Sequence, residues 1–294
     1  MSRRVDMDYL PYEEYSNRQL AAIPLAILAA ALLVIAAFYI LTGTPVGLGL
    51  AFTGGTEIEL SADASSSDVQ ATFENAGLEV ESVRSARTVG AGGDSSYIIE
   101  TQATDADPYR DVAEEAGYTI ERVEVRSATF GSDSQTQALI AVVVAFIGMS
   151  VLVALIFRSL VPSLAIVASA FSDIMIPVAL MNILGIDLTL GTVAALLMII
   201  GYSVDSDILL NNHVLKRHGD FYESAGRAMR TGVSMTVTSI AAMSVMTVVA
   251  RLLGIPLLPD IGLVLVLGLS ADLLNTYMLN MSLLRWYKYE GIAR

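Results

Sequence analysis

Four aspartates lie where a charged carboxylate is hardest to keep. Asp173, Asp205, Asp207 and Asp272 all fall inside, or close to the end of, long and otherwise uncharged apolar runs. Within a membrane such an acid costs several kcal/mol unless it finds a partner, a proton or water, so its default chemistry is binding and release of a proton or other cation. Asp173 lies about 15 residues into its run, roughly 22 Å of helix. Asp272 lies about 12 residues into another. The heptad Gly201-Tyr202-Ser203-Val204-Asp205-Ser206-Asp207 sets two acids two positions apart. At about 100° per residue they point about 200° apart. Tyr202 then shares a face with Asp205, while Ser203, Asp207 and Asn211 share another. One of the pair is expected to be the central titrating group, and Asp205 is the first choice. Each position also has a plainer reading. Asp207 reads equally as the frayed end of a span reaching for water, and Asp272, near Asn275 and Thr276, as a helix lock. Arg230 opens a later apolar run and either snorkels to the interface or serves as counter-charge to Asp205.

Other chemistries find little support. The chain has no cysteine and only two histidines, His213 and His218. Thiolate sites and disulfides are excluded, and no His/Glu spacing suits a metal. Phe52-Thr53-Gly54-Gly55 is glycine-rich, but no lysine-bearing helix follows, so it is no phosphate cradle. Neither a Walker loop nor a Gly-x-Ser-x-Gly elbow occurs. The expectation is a protein without catalytic residues, cofactor or metal.

The elements that must position these acids are membrane spans. Of 294 residues, 54% are hydrophobic and 16% charged, against about a quarter charged in an average soluble domain. The apolar residues come in runs long enough to cross a bilayer, which takes about 20 residues. Six runs qualify, at 20–41, 134–157, 159–184, 188–211, 231–250 and 261–284. The first is too long for a signal peptide's apolar core and lacks an Ala-x-Ala cleavage site, so it reads as a retained span. Arginine and lysine set the orientation. With segments 1–19, 212–230 and 285–294 inside, the basic residues Arg3, Arg4, Arg18, Arg158, Lys216, Arg217, Arg227, Arg230, Arg285, Lys288 and Arg294 are cytoplasmic. Only Arg251 remains in a short outer loop. Both termini are predicted inside the plasma membrane.

The long segment 44–134 is then external. It holds 17 acidic residues against five arginines, almost the entire net charge of −13. Such acidity argues against nucleic acid, which needs a basic footprint. It suits either a groove for cationic partners or, preferably, a surface solvated in concentrated salt. Residues 73–83 (FENAGLEVESV) and 113–123 (AEEAGYTIERV) repeat with an offset of 40. Each repeat reads as a short helix stopped at a glycine, Gly77 or Gly117. A strand follows each, at 78–87 and 118–126, and a strand precedes each, at 56–61 and 96–101. Strand–helix–strand, twice, predicts an α+β ferredoxin-like domain, with 90–93 (Gly-Ala-Gly-Gly) as the connector.

Three stretches together resemble a known family: Phe52-Thr53-Gly54-Gly55 after the first span, Gly201 to Asp207 in the fourth, and Asn275-Thr276-Tyr277 in the sixth. They are similar to the SecF family, the smaller subunits of the SecDF protein-export complex in the RND superfamily. The resemblance covers the whole chain. Ser206 to Leu210 and the acidic domain are most similar to archaeal members of a salt-loving lineage. Two positions depart from the family pattern. Ala51 stands where an acid precedes Phe-Thr-Gly-Gly, and Ser206 stands where bacterial members carry the fourth-span acid, Asp205 falling where the SecD partner carries its own. The resemblance implies an RND-type half, a six-helix membrane bundle whose fourth-span acid meets a second half, SecD. The implied function is an accessory translocase subunit that uses an ion gradient to assist export. The implied partners are SecD, the Sec translocation channel, the lipid bilayer and the exported polypeptide. The alternative is half of an RND-type exporter of lipids or small molecules. Against it, such exporters carry two large external domains, whereas the later outer loops here are short. A passive membrane-anchored binding module would leave the intramembrane acids unexplained.

Overall fold

In the computed structural model, which describes residues 15–86, 95–216 and 221–290, each apolar run largely coincides with a helix long and apolar enough to cross a membrane. These are α1 (Asn17–Thr42), α5 (Ala128–Phe157), α6 (Leu160–Leu184), α7 (Leu190–Lys216), α8 (Phe221–Leu253) and α9 (Leu258–Leu274). The last continues through a π-helical segment, Asn275–Asn280, into α10 (Met281–Tyr289). Most of the helices extend past their apolar runs at one end or both, because backbone hydrogen bonding continues where the side chains turn polar. α5 begins at Ala128, capped by the Ser127 hydroxyl, and α8 begins at Phe221.

The six spans are not equivalent. Over their most apolar stretches α6, α7 and α9 are 61%, 50% and 56% buried, while α1, α5 and α8 are 17%, 6% and 11% buried. Three inner helices are therefore wrapped by three outer ones. Their close approach depends on small residues. A Cβ on Gly268 of α9 would lie 2.2 Å from Ile199 Cδ1 of α7, and one on Gly232 of α8 would lie 2.0 Å from the Tyr277 hydroxyl. Apolar side chains fill much of the inner core, with Ile166, Ile199, Val264 and Leu265 fully or nearly fully buried.

Between α1 and α5 lies the α+β domain. Its elements are β1 (Gly55–Ala62), α3 (Ser66–Asn75), β2 (Ser82–Ala86), β3 (Ser95–Thr101), α4 (Asp107–Glu115) and β4 (Thr119–Arg126), preceded by the short helix α2 (Leu50–Thr53). The strands form one antiparallel sheet in the order β2-β3-β1-β4. Alternation along β1 sends Ile58 and Leu60 to a core shared with Val69, Phe73, Tyr109 and Ala113 of the two helices. Both helices end at glycines in the left-handed region, Gly77 at φ 78° and Gly117 at φ 76°. The expected 90–93 connector and His218 lie outside the described residues.

The opposite face of the sheet is charged and turns toward the α8–α9 loop. A cleft of about 590 Å³ separates them, lined among others by Arg84, Glu100, Arg122, Ile255 and Asp260. Arg84 spans it, 2.6 Å from Glu100 and 3.8 Å from Asp260. At the base of the domain, Gly54 and Gly55 have φ of 79° and 127°. A Cβ on Gly55 would meet the Thr101 carbonyl oxygen at 2.3 Å. Phe-Thr-Gly-Gly is thus the tight joint that carries the chain from α2 into β1 beneath the start of α5.

Candidate functional site

The three inner helices are the ones that carry the acids. Asp173 on α6, Asp207 on α7 and Asp272 on α9 are 0%, 0% and 1% exposed. They are joined by hydroxyl and amide side chains into one polar cluster. Ser203 Oγ donates to Asp173 Oδ2 at 2.6 Å, and Asn275 Nδ2 donates to Oδ1 at 2.5 Å. Asp207 Oδ1 accepts from Asn280 Nδ2 at 2.7 Å and from Thr276 Oγ1 at 2.8 Å. Thr276 Oγ1 also lies 3.2 Å from Asp272 Oδ1, and Ser206 Oγ lies 3.1 Å from Asp272 Oδ2.

Local backbone explains the convergence. Residues 272, 275, 276 and 280 form a polar stripe at helical spacing on an otherwise apolar span. The π-helical turn carries Asn275, Thr276 and Asn280, all fully buried, against α6 and α7. Single π turns of this kind occur frequently at functional sites. On α6, Pro177 follows Asp173 by four residues and has no N–H to offer its carbonyl, which loosens the helix at the acid.

Among the described residues no salt bridge involves Asp173, Asp207 or Asp272. Nor do three acidic or histidine side chains converge closely enough there to hold a metal ion. Several buried polar atoms at or near the cluster have no partner: Asp207 Oδ2, Ser169 Oγ, Ser172 Oγ, Asn211 Oδ1 and Asn275 Oδ1. Burying such atoms unpaired costs about 1–3 kcal/mol each. An arrangement of this kind can take up and release protons, or water carrying them.

The other sequence candidates lie elsewhere. Asp205, Gly201 and Tyr202 are exposed on the outward face of α7, while Ser203 and Asp207 face inward. Arg230 is exposed on α8, and no salt bridge joins it to Asp205 among the described residues. Phe52 is buried and Thr53 half-buried in the joint below the sheet, with Gly54 and Gly55, remote in role from the acids. The additional members of the cluster are Asn280 and Ser206, with Asn275 and Thr276 serving Asp173 and Asp207 rather than Asp272 alone. The stripe at 272–280 is the sequence signal for Asn275, Thr276 and Asn280.

Six apolar helices, three of them carrying buried acids, with one α+β domain between the first and second, define a multi-pass membrane protein with a carboxylate cluster inside its bundle. Residues 109–290 match the family described as "Protein export membrane protein SecD/SecF, C-terminal". The chain belongs to this SecD/SecF family. It is 59% identical over 285 residues to the "Protein-export membrane protein SecF" of Haloferax volcanii, covering 96% of each chain. The protein of the same description from Haloquadratum walsbyi is 59% identical over 290 residues, and that from Pyrococcus furiosus 37% over 284. Among solved structures, the fold is similar to "SecDF, a translocon-associated membrane protein" from Thermus thermophilus, with a TM-score of 0.73 and 21% identity. That match covers 92% of this chain and 38% of the longer one.

Proposed function

We propose that this chain is an accessory subunit of the Sec protein translocase, which works with a SecD partner and draws on an ion gradient to assist export across the plasma membrane. The carrying observation is the cluster of three buried, unpaired acids in a member of this family. A proton crossing 100 mV supplies about 2.3 kcal/mol, enough to bias a two-state element of the bundle. The chain is read as non-enzymatic.

The α+β domain is read as ferredoxin-like, a reading supported by its two strand–helix–strand halves and the β2-β3-β1-β4 sheet. It is assigned to the outside, with both termini in the cytoplasm. The basic residues support that orientation, since the end bearing Arg18, Arg158 and Arg285 lies opposite the sheet. At that end Arg285 donates to Asn17 and to the Tyr15 carbonyl, and the Ser159 hydroxyl bonds the Tyr287 hydroxyl. Asp205 is assigned to the partner face. An acid left against lipid in a helix centre costs about 2.5–3.5 kcal/mol on insertion scales, and a second half packed on Tyr202 and Asp205 would remove that exposure.

The test is secretion in a strain lacking this subunit, complemented with point variants. Asp207→Asn and Asp272→Asn should insert normally and fail to restore export. Wild-type export by both would reduce the cluster to a structural lock.

A further inference from the structure

We infer that in this conformation the cluster holds a proton on Asp272, and that Thr276 is the positioning hydroxyl through which this proton is shared with Asp207. The inference rests on the ion-coupled reading above and says which acid carries the charge change.

Hydrogen counting leads to it. A hydroxyl has a single proton to give, and an ionised carboxylate can only accept. Asp173 receives two donors, the Ser203 hydroxyl and the Asn275 amide. Asp207 Oδ1 receives the Asn280 amide and the Thr276 hydroxyl at 2.8 Å. Each of these two acids thus has two donors, a pattern that an ionised carboxylate satisfies. Asp272 differs. Its neighbours are hydroxyls, Thr276, Ser206 and Ser203, that each have another acceptor. The Thr276 proton goes to Asp207 by the shorter contact, 2.8 Å against 3.2 Å. The Ser206 hydroxyl is 3.2 Å from the Tyr202 carbonyl and 3.1 Å from Asp272 Oδ2, so its proton can satisfy the backbone. Left ionised, Asp272 would be a buried anion with no donor committed to it, facing Asp207 and Asp173. Protonated, it becomes a donor, and Thr276 or Ser206 has a lone pair ready to accept.

The same contacts define a balanced transfer. Asp272 gives its proton to Thr276 Oγ1 as Thr276 gives its own to Asp207 Oδ1. One O–H bond breaks and one forms at Thr276, which ends unchanged, while the negative charge moves from Asp207 to Asp272. Asp207 Oδ2, buried and without a partner, is the open end of this relay. The titratable groups that act on Asp272 are Asp173 from α6 and Asp207 from α7. The α8 groups packed on α9 around Gly262, ten residues before Asp272, are Met243, Met246 and Thr247 and carry no charge.

The experiment is infrared spectroscopy of the full-length protein in lipid vesicles at pH 7, reading the C=O stretch of protonated carboxyl groups with and without deuterium exchange. The wild type should show the band. It should disappear in Asp272→Asn, shift in Asp272→Glu, and keep its position in Asp207→Glu and Asp205→Asn. A band that moves with Asp207→Glu but not with Asp272→Glu overturns the assignment, as does its absence from the wild type. Thr276→Val, which keeps the shape and removes the hydroxyl, should displace the band, and Thr276→Ser should return it. An undisplaced band in Thr276→Val removes the bridging role. The spectrum reports protonation whether or not protein is exported. Loss of the band with normal export in Asp272→Asn would therefore uphold the proton assignment and refute the coupling function.

Discussion

A carboxylate in a low-dielectric bundle is held by its donors, and the three inner acids differ in how they are served. Asp173 depends on only two groups, one of them the Asn275 amide at 2.5 Å. Asn275→Leu keeps volume and leaves that oxygen of a fully buried acid unpaired. Removing one partner of a buried charged hydrogen bond costs about 1–3 kcal/mol or more, so this variant should unfold at distinctly lower temperature than wild type, as followed by loss of helical circular dichroism in detergent. Asn275→Gln, which retains the amide, should recover part of the loss. Equal stability of Asn275→Leu and wild type would show that water can take the place of the amide. Asp205, exposed on α7, makes none of the hydrogen bonds that hold the cluster, and its replacement by asparagine should leave thermal stability unchanged.

Each element brings its own constraint. The stripe 272–280 presents four polar side chains to α6 and α7 because the π turn keeps Asn275, Thr276 and Asn280 buried together. In the four-stranded sheet the register sets Glu57 opposite both Glu100 and Glu124, a row of like charges that is unfavourable at close range. Arg122 answers it at 3.0 Å from Glu57 and 3.4 Å from Glu59. Burial of Glu57 raises its carboxyl above the ordinary glutamate range; Arg122 opposes that shift, and Glu100 and Glu124 add to it. The folded state therefore binds a proton at Glu57 more readily than the unfolded chain does. Stability then falls as pH rises from the unfolded value, about 4.3, through the raised folded value, and the cost is fully present above it. Thermal melts of the 44–134 fragment from acid to neutral pH should show this decline, and Glu57→Gln should flatten it. Added salt should raise the melting temperature of both, since screening weakens repulsion among the acidic residues. A fragment most stable at low salt would instead favour a groove built for cationic partners.

At the scale of the whole molecule, two surfaces of α7 differ in their surroundings. The inner one, with Ser203 and Asp207, belongs to a cluster complete within this chain. The outer one, with Tyr202 and Asp205, is open. The Thermus thermophilus chain is far longer, this chain covering 38% of it. A single cysteine at Tyr202, in a chain with no native cysteine, should therefore cross-link to the equivalent span of SecD when both are co-expressed. Cross-links only within this chain or to a second copy would place another neighbour on that face. Because the acids are internal, the proton band of the cluster should persist in the chain purified without SecD.

Much of this was legible in the sequence because its causes are local. Apolar run length marked all six spans, since a bilayer requires about 20 residues of any sequence apolar enough. Glycines at 77 and 117 marked the helix ends, because the left-handed turn excludes most other residues. The repeat at offset 40 carried the strand–helix–strand order. The 200° divergence of Asp205 and Asp207 was equally a matter of helical pitch. Which of the two faces inward was not, because pitch fixes the angle between side chains and not the rotation of the helix in its bundle. That rotation follows from packing, as where Gly268 lets α9 close on Ile199 of α7, and it brings Asp207 rather than Asp205 to Thr276 and Asn280. Residues 173, 207 and 272 are distant in sequence and share no motif. Only the contact of three inner helices decides that they meet, and that contact is set by side-chain volumes summed over the whole bundle.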